Sequence, residues 1–278
     1  MELSIIILTL NNKHLLEQCI DSVLRYTKSI TFEIIIVDNN SSDGTQELIR
    51  SKYPKATLIA NEKNLGFTRA NNKGLRTSKG RYALLLNDDT YLKDDAFSKM
   101  LAFMDSRPDV GICGPRLLNT DGSIQRQGSI LSSHTWKAAS PVETQMVIGA
   151  CMLIRASMTE KLGLLDENLF FYNDDLDYCK RARSAGYKVV YYPLAQIFHI
   201  GGYTMKKSFN SLLFVEGFRG GLYFCKKHYG VLPYSIYSIL LFFYTLLMLP
   251  FSLPNSPKWK AYIKVLWIII SQHIIPNA

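Results

Sequence analysis

The stretch FEIIIVDNNSSDG, from Phe32 to Gly44, decides how this chain is read. Four β-branched aliphatic residues in a row, Ile34 to Val37, make a strand that is apolar on both faces. Such strands belong to parallel sheets covered by helices on each side. The run stops at Asp38, and Asn39, Asn40, Ser41, Ser42, Asp43 and Gly44 supply turn chemistry. Upstream, Ser4–Leu10 (SIIILTL) repeats the pattern, again apolar throughout and again ending in polar residues, at Thr9 and Asn11. Between the two strands, Leu15, Leu16, Cys19, Ile20, Val23 and Leu24 fall at the spacing of an amphipathic helix. Downstream the alternation continues. Gln46–Tyr53 is expected to be a helix, Thr57–Ala60 a strand, and Phe67–Thr77 a helix with Arg69, Asn72 and Lys73 on its polar face. Tyr82–Leu86 (YALLL) is a fourth strand, and Asp94–Met104 a helix entered through Asp94 and Asp95. Strands separated by helices imply βαβ units and a mostly parallel, doubly covered sheet, an α/β fold.

The middle is less regular. Val110–Cys113 and Val147–Ile154 are expected strands, and Leu117–Leu131 a hairpin around Thr120-Asp121-Gly122. Ser157-Met-Thr-Glu160 has the spacing of a capping box that opens a helix. Leu176–Ala185 is expected to be a helix closed by Gly186, with Lys188–Tyr192 a strand after it. The end changes character. From Tyr229 to Pro257, 29 residues, there is no Asp, Glu, Lys or Arg, and Val231–Phe251 is long enough to cross a bilayer if helical. Lys226 and Lys227 precede it, and Lys258, Lys260 and Lys264 follow. Positive charge on both sides fits a hairpin or an interfacial helix better than a single crossing. The expected division is therefore 1–205 as the α/β domain and 206–278 as a basic, apolar helical region that associates with a membrane.

Composition agrees. With 278 residues, 47% hydrophobic and 20% charged, the chain is neither disordered nor collagen-like. Its 32 basic residues against 23 acidic leave a net charge of +9, which taken whole points to nucleic acid, a membrane surface or phosphates. Up to Met205 there are 24 basic and 22 acidic residues, and from Lys206 onward 8 against 1, so the excess belongs to the tail. A nucleic-acid-binding function is disfavoured by that split. Five cysteines with no Cys-x-x-Cys pair are reduced thiols rather than a disulfide framework. Residues 1–10 carry Glu2 where a secretory signal carries Lys or Arg, and are a strand instead.

Ligands in parallel α/β sheets bind at the C-terminal ends of strands. Here those ends hold Thr9 and Asn11, Asp38, and Asn87-Asp88-Asp89. An acid at a strand end can hydrogen-bond a base or ribose, and adjacent carboxylates on a turn can hold a hard cation. Asx turns and helix caps use the same residues, so co-occurrence on three strand ends of one sheet carries the argument. No G-x-G-x-x-G, P-loop, H-E-x-x-H or G-x-S-x-G is present. Further on, Asp174 and Asp175 precede an expected helix, and His199 is followed by Gly201-Gly202.

In order, SIIILTLNN, IIIVDNNSSDGT, NEKNLGFTRANNKGL, LLLNDDT, the stretch from IGACMLIR to FFYNDDLDYCKRARSAGY, and IFHIGG resemble the family 2 glycosyltransferases of GT-A fold, in particular rhamnosyltransferase-like members that build bacterial surface polysaccharides. The resemblance covers about three-quarters of the chain, Met1 to Tyr203. Leu8 stands where the family commonly has Pro, and Asp174-Asp175 where it often has Glu-Asp.

The resemblance implies an inverting, metal-dependent transfer from a nucleotide-diphospho-sugar to a hydroxyl of a glycan acceptor, lipid-linked in view of the tail, at the cytoplasmic face of the inner cell membrane. It implies nucleotide-sugar contacts at Thr9, Asn11, Asp38 (through the base), Asn64, Arg69 and Asp88 (near the ribose). It also implies Mg²⁺ or Mn²⁺ at Asp89 with His199, and Asp175 as catalytic base. Asp174, Gly149 and Trp136, with His134, are expected near the acceptor or the helix start. The alternatives are a sugar nucleotidyltransferase, which calls for a Gly-rich loop where this chain has Thr9-Leu-Asn-Asn-Lys13, and a non-catalytic nucleotide-sugar- or nucleic-acid-binding protein.

Overall fold

The computed structural model describes residues 1–127, 133–201 and 209–274. They form two units, one of residues 1–167 and 175–201 and a second of 168–174 and the residues from 202 onward. The expected boundary at 205/206 lies outside the described residues, as do Gly202 and the far end of the expected hairpin, from residue 128.

The first unit is built on β1 (Leu3–Thr9), α1 (Lys13–Tyr26), β2 (Phe32–Asp38), α2 (Thr45–Lys52), β3 (Thr57–Ala60), α3 (Gly66–Thr77) and β4 (Tyr82–Asn87). After them come β5 (Thr90–Tyr91), α4 (Ala96–Ser106), β6 (Val110–Leu118), α5 (Ser133–Trp136), β7 (Val142–Glu143), β8 (Cys151–Arg155), α6 (Ala156–Leu162), α7 (Asp174–Ser184) and β9 (Lys188–His199). The sheet order is β3-β2-β1-β4-β8-β6-β9-β5, with β7 beside β9. From β3 to β4 all pairing is parallel, the expected βαβ arrangement. Beyond β4 the sheet is mixed: β8 runs antiparallel to both β4 and β6, and β6 and β9 are parallel.

The continuous apolar runs have the consequence anticipated for a sheet covered twice. Alternate residues of one strand feed two cores. Ile5, Ile7, Ile34, Ile36, Leu84 and Leu86 pack with Leu16, Ile20 and Val23 of α1 and Phe97 and Met100 of α4. Ile6, Ile35, Val37 and Leu85 pack on the other side with Ala70 and Leu75 of α3 and Tyr178 and Ala182 of α7. The parallel register pairs Thr9 with Asp38 and Leu8 with Asn87, so the polar strand ends share one edge of the sheet.

Several local expectations are revised, and the strand expected over Val147–Ile154 starts only at Cys151. The capping box does not form: α6 starts at Ala156 directly from β8, with Arg155 at the N-cap and no side-chain cap. The Arg155 guanidinium is spent instead on the carbonyls of Met104, Arg107 and Val110, which fixes where β8 ends. α7 begins at Asp174, so the two acids lie in its first turn instead of preceding it. β9 runs on to His199 rather than stopping at Tyr192, a register shift opposite Pro115–Arg116 accommodating the extra length.

In the second unit, α8 (Ser211–Tyr229), α9 (Val231–Met248) and α10 (Pro257–Ile274) pack around Val215, Leu222, Tyr234, Leu241, Val265 and Ile268. Asn210 caps α8 through the N–H of Leu213, and Gly230, at φ +82°, turns the chain into α9. The segment 168–174 joins this unit, Asn168 donating to the Tyr223 hydroxyl and Asn173 to the Gly217 carbonyl.

Close approach of α3 to β1 sets the depth of the first unit. A Cβ on Gly74 would overlap the Ile6 Cγ2 methyl, which sits on a β-branched residue in a central strand and has no free rotamer to yield. Overpacking of this kind costs about 1–3 kcal/mol, against about 1 kcal/mol of helix propensity gained from Ala. Gly74→Ala is expected to lower the unfolding free energy by about 1 kcal/mol on denaturant titration, although an unhindered helix site would gain by the same change.

Candidate active site

The loops after β1 and β2 are laced together. Asn11 accepts from Ser42 N (2.7 Å), its own N–H donates to the Ser41 hydroxyl (2.9 Å), and Lys13 N donates to Asp43 Oδ2 (2.9 Å). Asn11 and Asn40 adopt positive φ, 54° and 74°, a conformation Asn tolerates better than most residues. Asp38 is fully buried beneath this lacing and accepts from Ser41 N and from Gln46 Nε2 (2.7 Å). Next to it Asn39, which the sequence analysis did not single out, organises the third loop. It donates to Asn64 Oδ1 (2.7 Å) and accepts from Leu65 N and from Asn61, whose oxygen takes Lys73 Nζ (2.6 Å). Arg69 rests on Glu167, its Nε donating to that residue's carbonyl at 3.3 Å.

At the end of β4 two adjacent carboxylates are buried. Thr9 donates its hydroxyl to Asp88 Oδ2 (2.7 Å), and Asn12 approaches Oδ1 at 3.4 Å. Burial, reinforced by the charge of Asp89, pushes the Asp88 carboxyl up to about 7, against the lowering effect of Thr9. Asp89 faces His199, Oδ1 to Nε2 at 3.1 Å. The short strand β5 makes this meeting possible: Thr90 pairs with His199, and Ile200 N donates to the Asp89 carbonyl (3.0 Å).

Asp175 reaches the same edge by another route. Asn87 N donates to the Ala150 carbonyl (3.0 Å), and neighbouring Gly149 N donates to Asp175 Oδ2 (3.3 Å). Leu176 N donates to Oδ1 (2.8 Å). Burial raises the Asp175 carboxyl above the ordinary range, opposed by those two N–H groups. Asp174 is buried in the first turn of α7 and belongs to the second unit. Trp136, in α5, accepts from the Tyr191 hydroxyl at its carbonyl (2.9 Å) and carries Lys137 over its ring, and His134 of the same helix is exposed.

The donor set fits a divalent cation only in part from protein. Among the described residues no three His, Cys, Asp or Glu side chains converge. Asp89 and His199 do: neighbouring ligands of an octahedral ion at about 2.1 Å lie about 3 Å apart, and their oxygen and nitrogen are 3.1 Å apart. Two protein donors leave positions for oxygens of a substrate.

Residues 4–163 match the family described as "Glycosyl transferase family 2". The chain belongs to this family. Among relatives, it is 26% identical to the N-acetylglucosaminyl-diphospho-decaprenol L-rhamnosyltransferase of Mycobacterium tuberculosis, over 60% of this chain and 66% of that protein. It is 25% identical to the dTDP-rhamnosyl transferase RfbF of Shigella flexneri, over 62% of each. The chain thus spans less than two thirds of these family members, and only 24% of a 28% identical uncharacterized protein of Sinorhizobium fredii that matches 70% of it. A mannosyltransferase of Pyrobaculum calidifontis, solved with GDP-Man and Mn²⁺, shares the fold at a TM-score of 0.60 with 16% identity, over 98% of this chain and 86% of that one. The α/β architecture is accordingly of GT-A type.

A raised carboxyl binds its proton more tightly in the folded than in the unfolded chain, so its contribution is full below about pH 4 and is lost as pH rises toward 7. Between pH 5 and 7 ordinary carboxyls have finished titrating. Without added divalent cation, the melting temperature of the wild type is expected to fall across this window relative to Asp88→Asn. Parallel melting curves would show that Asp88 does not carry the proton.

Proposed function

We propose that this chain transfers a sugar from a nucleotide-diphospho-sugar to an acceptor hydroxyl, with inversion at the sugar C1. The observation that carries this reading is the gathering of Asp88, Asp89, His199 and Asp175 at the edge where β1, β2 and β4 end. Thr9, Asn11, Asp38, Asn64, Arg69 and Asp88 form the donor-binding set, Asp38 serving the base and Asp88 the ribose. Asp89 and His199 hold Mg²⁺ or Mn²⁺, which when bound neutralises charge on the departing diphosphate.

Asp175 is the base. Its carboxylate takes the proton of the acceptor hydroxyl as that oxygen bonds to C1 and the C1–O bond to the diphosphate breaks. The electron pair of that bond leaves with the nucleoside diphosphate. A carboxyl raised by burial is a stronger base than a solvated one, and the N–H groups of Gly149 and Leu176 fix its two oxygens. Direct attack with one base gives inversion. A sugar nucleotidyltransferase is the weaker reading, since the loop after β1 has no glycine with which to wrap a triphosphate.

The names of the Mycobacterium and Shigella relatives support rhamnose as the donor sugar, and that of the former supports a polyprenyl-diphosphate-linked acceptor in polysaccharide synthesis. The second unit suits such an acceptor. Among the described residues α9 is the one helix long and apolar enough to cross a membrane, and only 22% of it is buried. Leu240, Phe243, Leu247, Phe251 and Leu253 stand exposed, between Lys226 and Lys227 at one end and Lys258 and Lys260 at the other. An apolar face bounded by lysines at both ends fits the surface of an anionic leaflet. The cytoplasmic side is supported by five free cysteines, four of them buried.

Asp175→Asn should reduce transfer by about 10²-fold or more, with nucleotide-sugar affinity by calorimetry preserved, after a thermal-shift panel with Mn²⁺ has identified the donor. Near-normal turnover would remove Asp175 from the mechanism. For the tail, flotation with phosphatidylcholine vesicles should need added phosphatidylglycerol and weaken with salt, and replacing Phe243, Leu247 and Phe251 by Ser should abolish it. Failure to float with either vesicle would overturn the membrane reading.

A further inference from the structure

Beyond the strand ends, the turn 119–125 carries a directed set of hydrogen bonds that ends on His199. The turn itself is closed by backbone bonds: Asn119 N donates to the Ser123 carbonyl (2.8 Å), Gly122 N to the Asn119 carbonyl (2.9 Å) and Gln125 N to the Leu117 carbonyl (2.8 Å). From it Gln125 grips His199 at two points. Its Nε2 donates to the His199 backbone carbonyl (3.0 Å), and its Oε1 meets the imidazole Nδ1 at 2.6 Å.

The direction of these bonds follows from what a backbone carbonyl can do. It only accepts, so the amide nitrogen of Gln125 must face it, and a flipped amide would set two acceptors against each other. The amide oxygen therefore faces Nδ1, and Nδ1 must carry the proton. A second chain of bonds enforces the same orientation. Asp121 accepts from the Ser123 hydroxyl (2.6 Å), which accepts from Asn119 Nδ2 (2.9 Å), leaving Asn119 Oδ1 to accept from Gln125 Nε2 (3.1 Å). The Ser123 hydroxyl holds the Asp121 carboxyl below its usual range, so this origin of the chain is an acceptor only. Gly201 leaves room for the amide, since a Cβ there would come within 2.8 Å of Gln125 Nε2.

We propose that Gln125 is a positioning residue that locks His199 in the Nδ1–H tautomer and presents a bare Nε2 lone pair toward Asp89. Two electron-rich atoms 3.1 Å apart repel unless a cation or a proton lies between them. The relay thus turns Nε2 toward the place of an ion before any ion arrives. Such outer partners of a ligating His fix its tautomer and ring orientation, and their loss typically weakens metal affinity about 10–100-fold. The metal consequence rests on the proposed role of Asp89 and His199; the tautomer does not.

The two are separable by experiment. ¹⁵N NMR of the metal-free protein at alkaline pH should show His199 as the Nδ1–H tautomer, and Gln125→Leu should shift it toward a mixture. A mixture in the wild type, or no change in Gln125→Leu, would overturn the inference. Titration with Mn²⁺ alone, read by EPR, should show binding to the wild type that is about 10–100-fold weaker in Gln125→Leu and restored in Gln125→Glu, whose carboxylate still accepts from Nδ1–H. Equal affinity in wild type and Gln125→Leu would deny the relay any role in ion binding. No binding to the wild type, with the Nδ1–H tautomer present, would instead sink the cation reading and leave the tautomer lock standing. Gly201→Ala, which crowds the amide without removing it, should move both readouts in the same direction as Gln125→Leu. An unaltered tautomer and affinity in that variant would count against the relay.

Discussion

Two neighbouring carboxylates, Asp88 and Asp89, are both buried at the end of one strand, and much of the first unit is arranged around that fact. Burial alone disfavours a carboxylate, and a like charge beside it disfavours it further. Removing the charge from a single member is the cheapest relief, which is why Asp88 is held up near neutrality. Polar contacts absorb part of the remainder: the Thr9 hydroxyl and the Asn12 amide both turn toward Asp88. An apolar core of comparable volume would be more stable. Retaining the pair is intelligible where a cation and a phosphorylated ligand complete it.

The scaffold supplies that arrangement through register rather than through any special loop. Parallel pairing of β1 with β2 and β4 fixes where Thr9, Asp38 and Asn87 stand relative to one another, and a slip of one residue would send each to the opposite face. The antiparallel strand β8 then brings Gly149 against the end of β4, and Gly149 holds Asp175. The acid turn and the candidate base are thus coupled through one sheet edge. They are contributed by segments more than eighty residues apart in the chain.

This explains what was legible in the sequence. Strands apolar on both faces announce themselves, and β1 to β4 with their intervening helices stand where periodicity put them, within a residue or so at the ends. Polar residues closing such strands are equally visible, hence Thr9, Asp38, Asp88 and Asp89. What periodicity does not carry is partnership. Ser157 has capping spacing, yet the helix starts earlier because Arg155, pinned by three carbonyls of other elements, ends β8 just before it. Asn39 looks like an ordinary turn residue and Gln46 like an ordinary polar helix residue until the fold sets them against Asn64 and Asp38. Gln125 lies 74 residues from the histidine it grips, and no local pattern encodes that meeting.

The same logic resolves the charge of the chain. A site that handles an anionic donor is often built of lysine and arginine, yet the first 205 residues are nearly balanced, with 24 basic and 22 acidic. Under the proposed function the attraction for the diphosphate comes from an ion held by Asp89 and His199, so acids rather than bases line the strand ends. A cation so held would not have to stay behind when a charged product leaves. Fixed lysines would go on holding that product after each turnover. The 8 basic residues after Met205, opposed by Glu216 alone, then have a separate task. Under the same proposal, those that flank the uncharged run from Tyr229 to Pro257 would hold an apolar helix against an anionic surface, a lasting contact for which permanent charge is the suitable device.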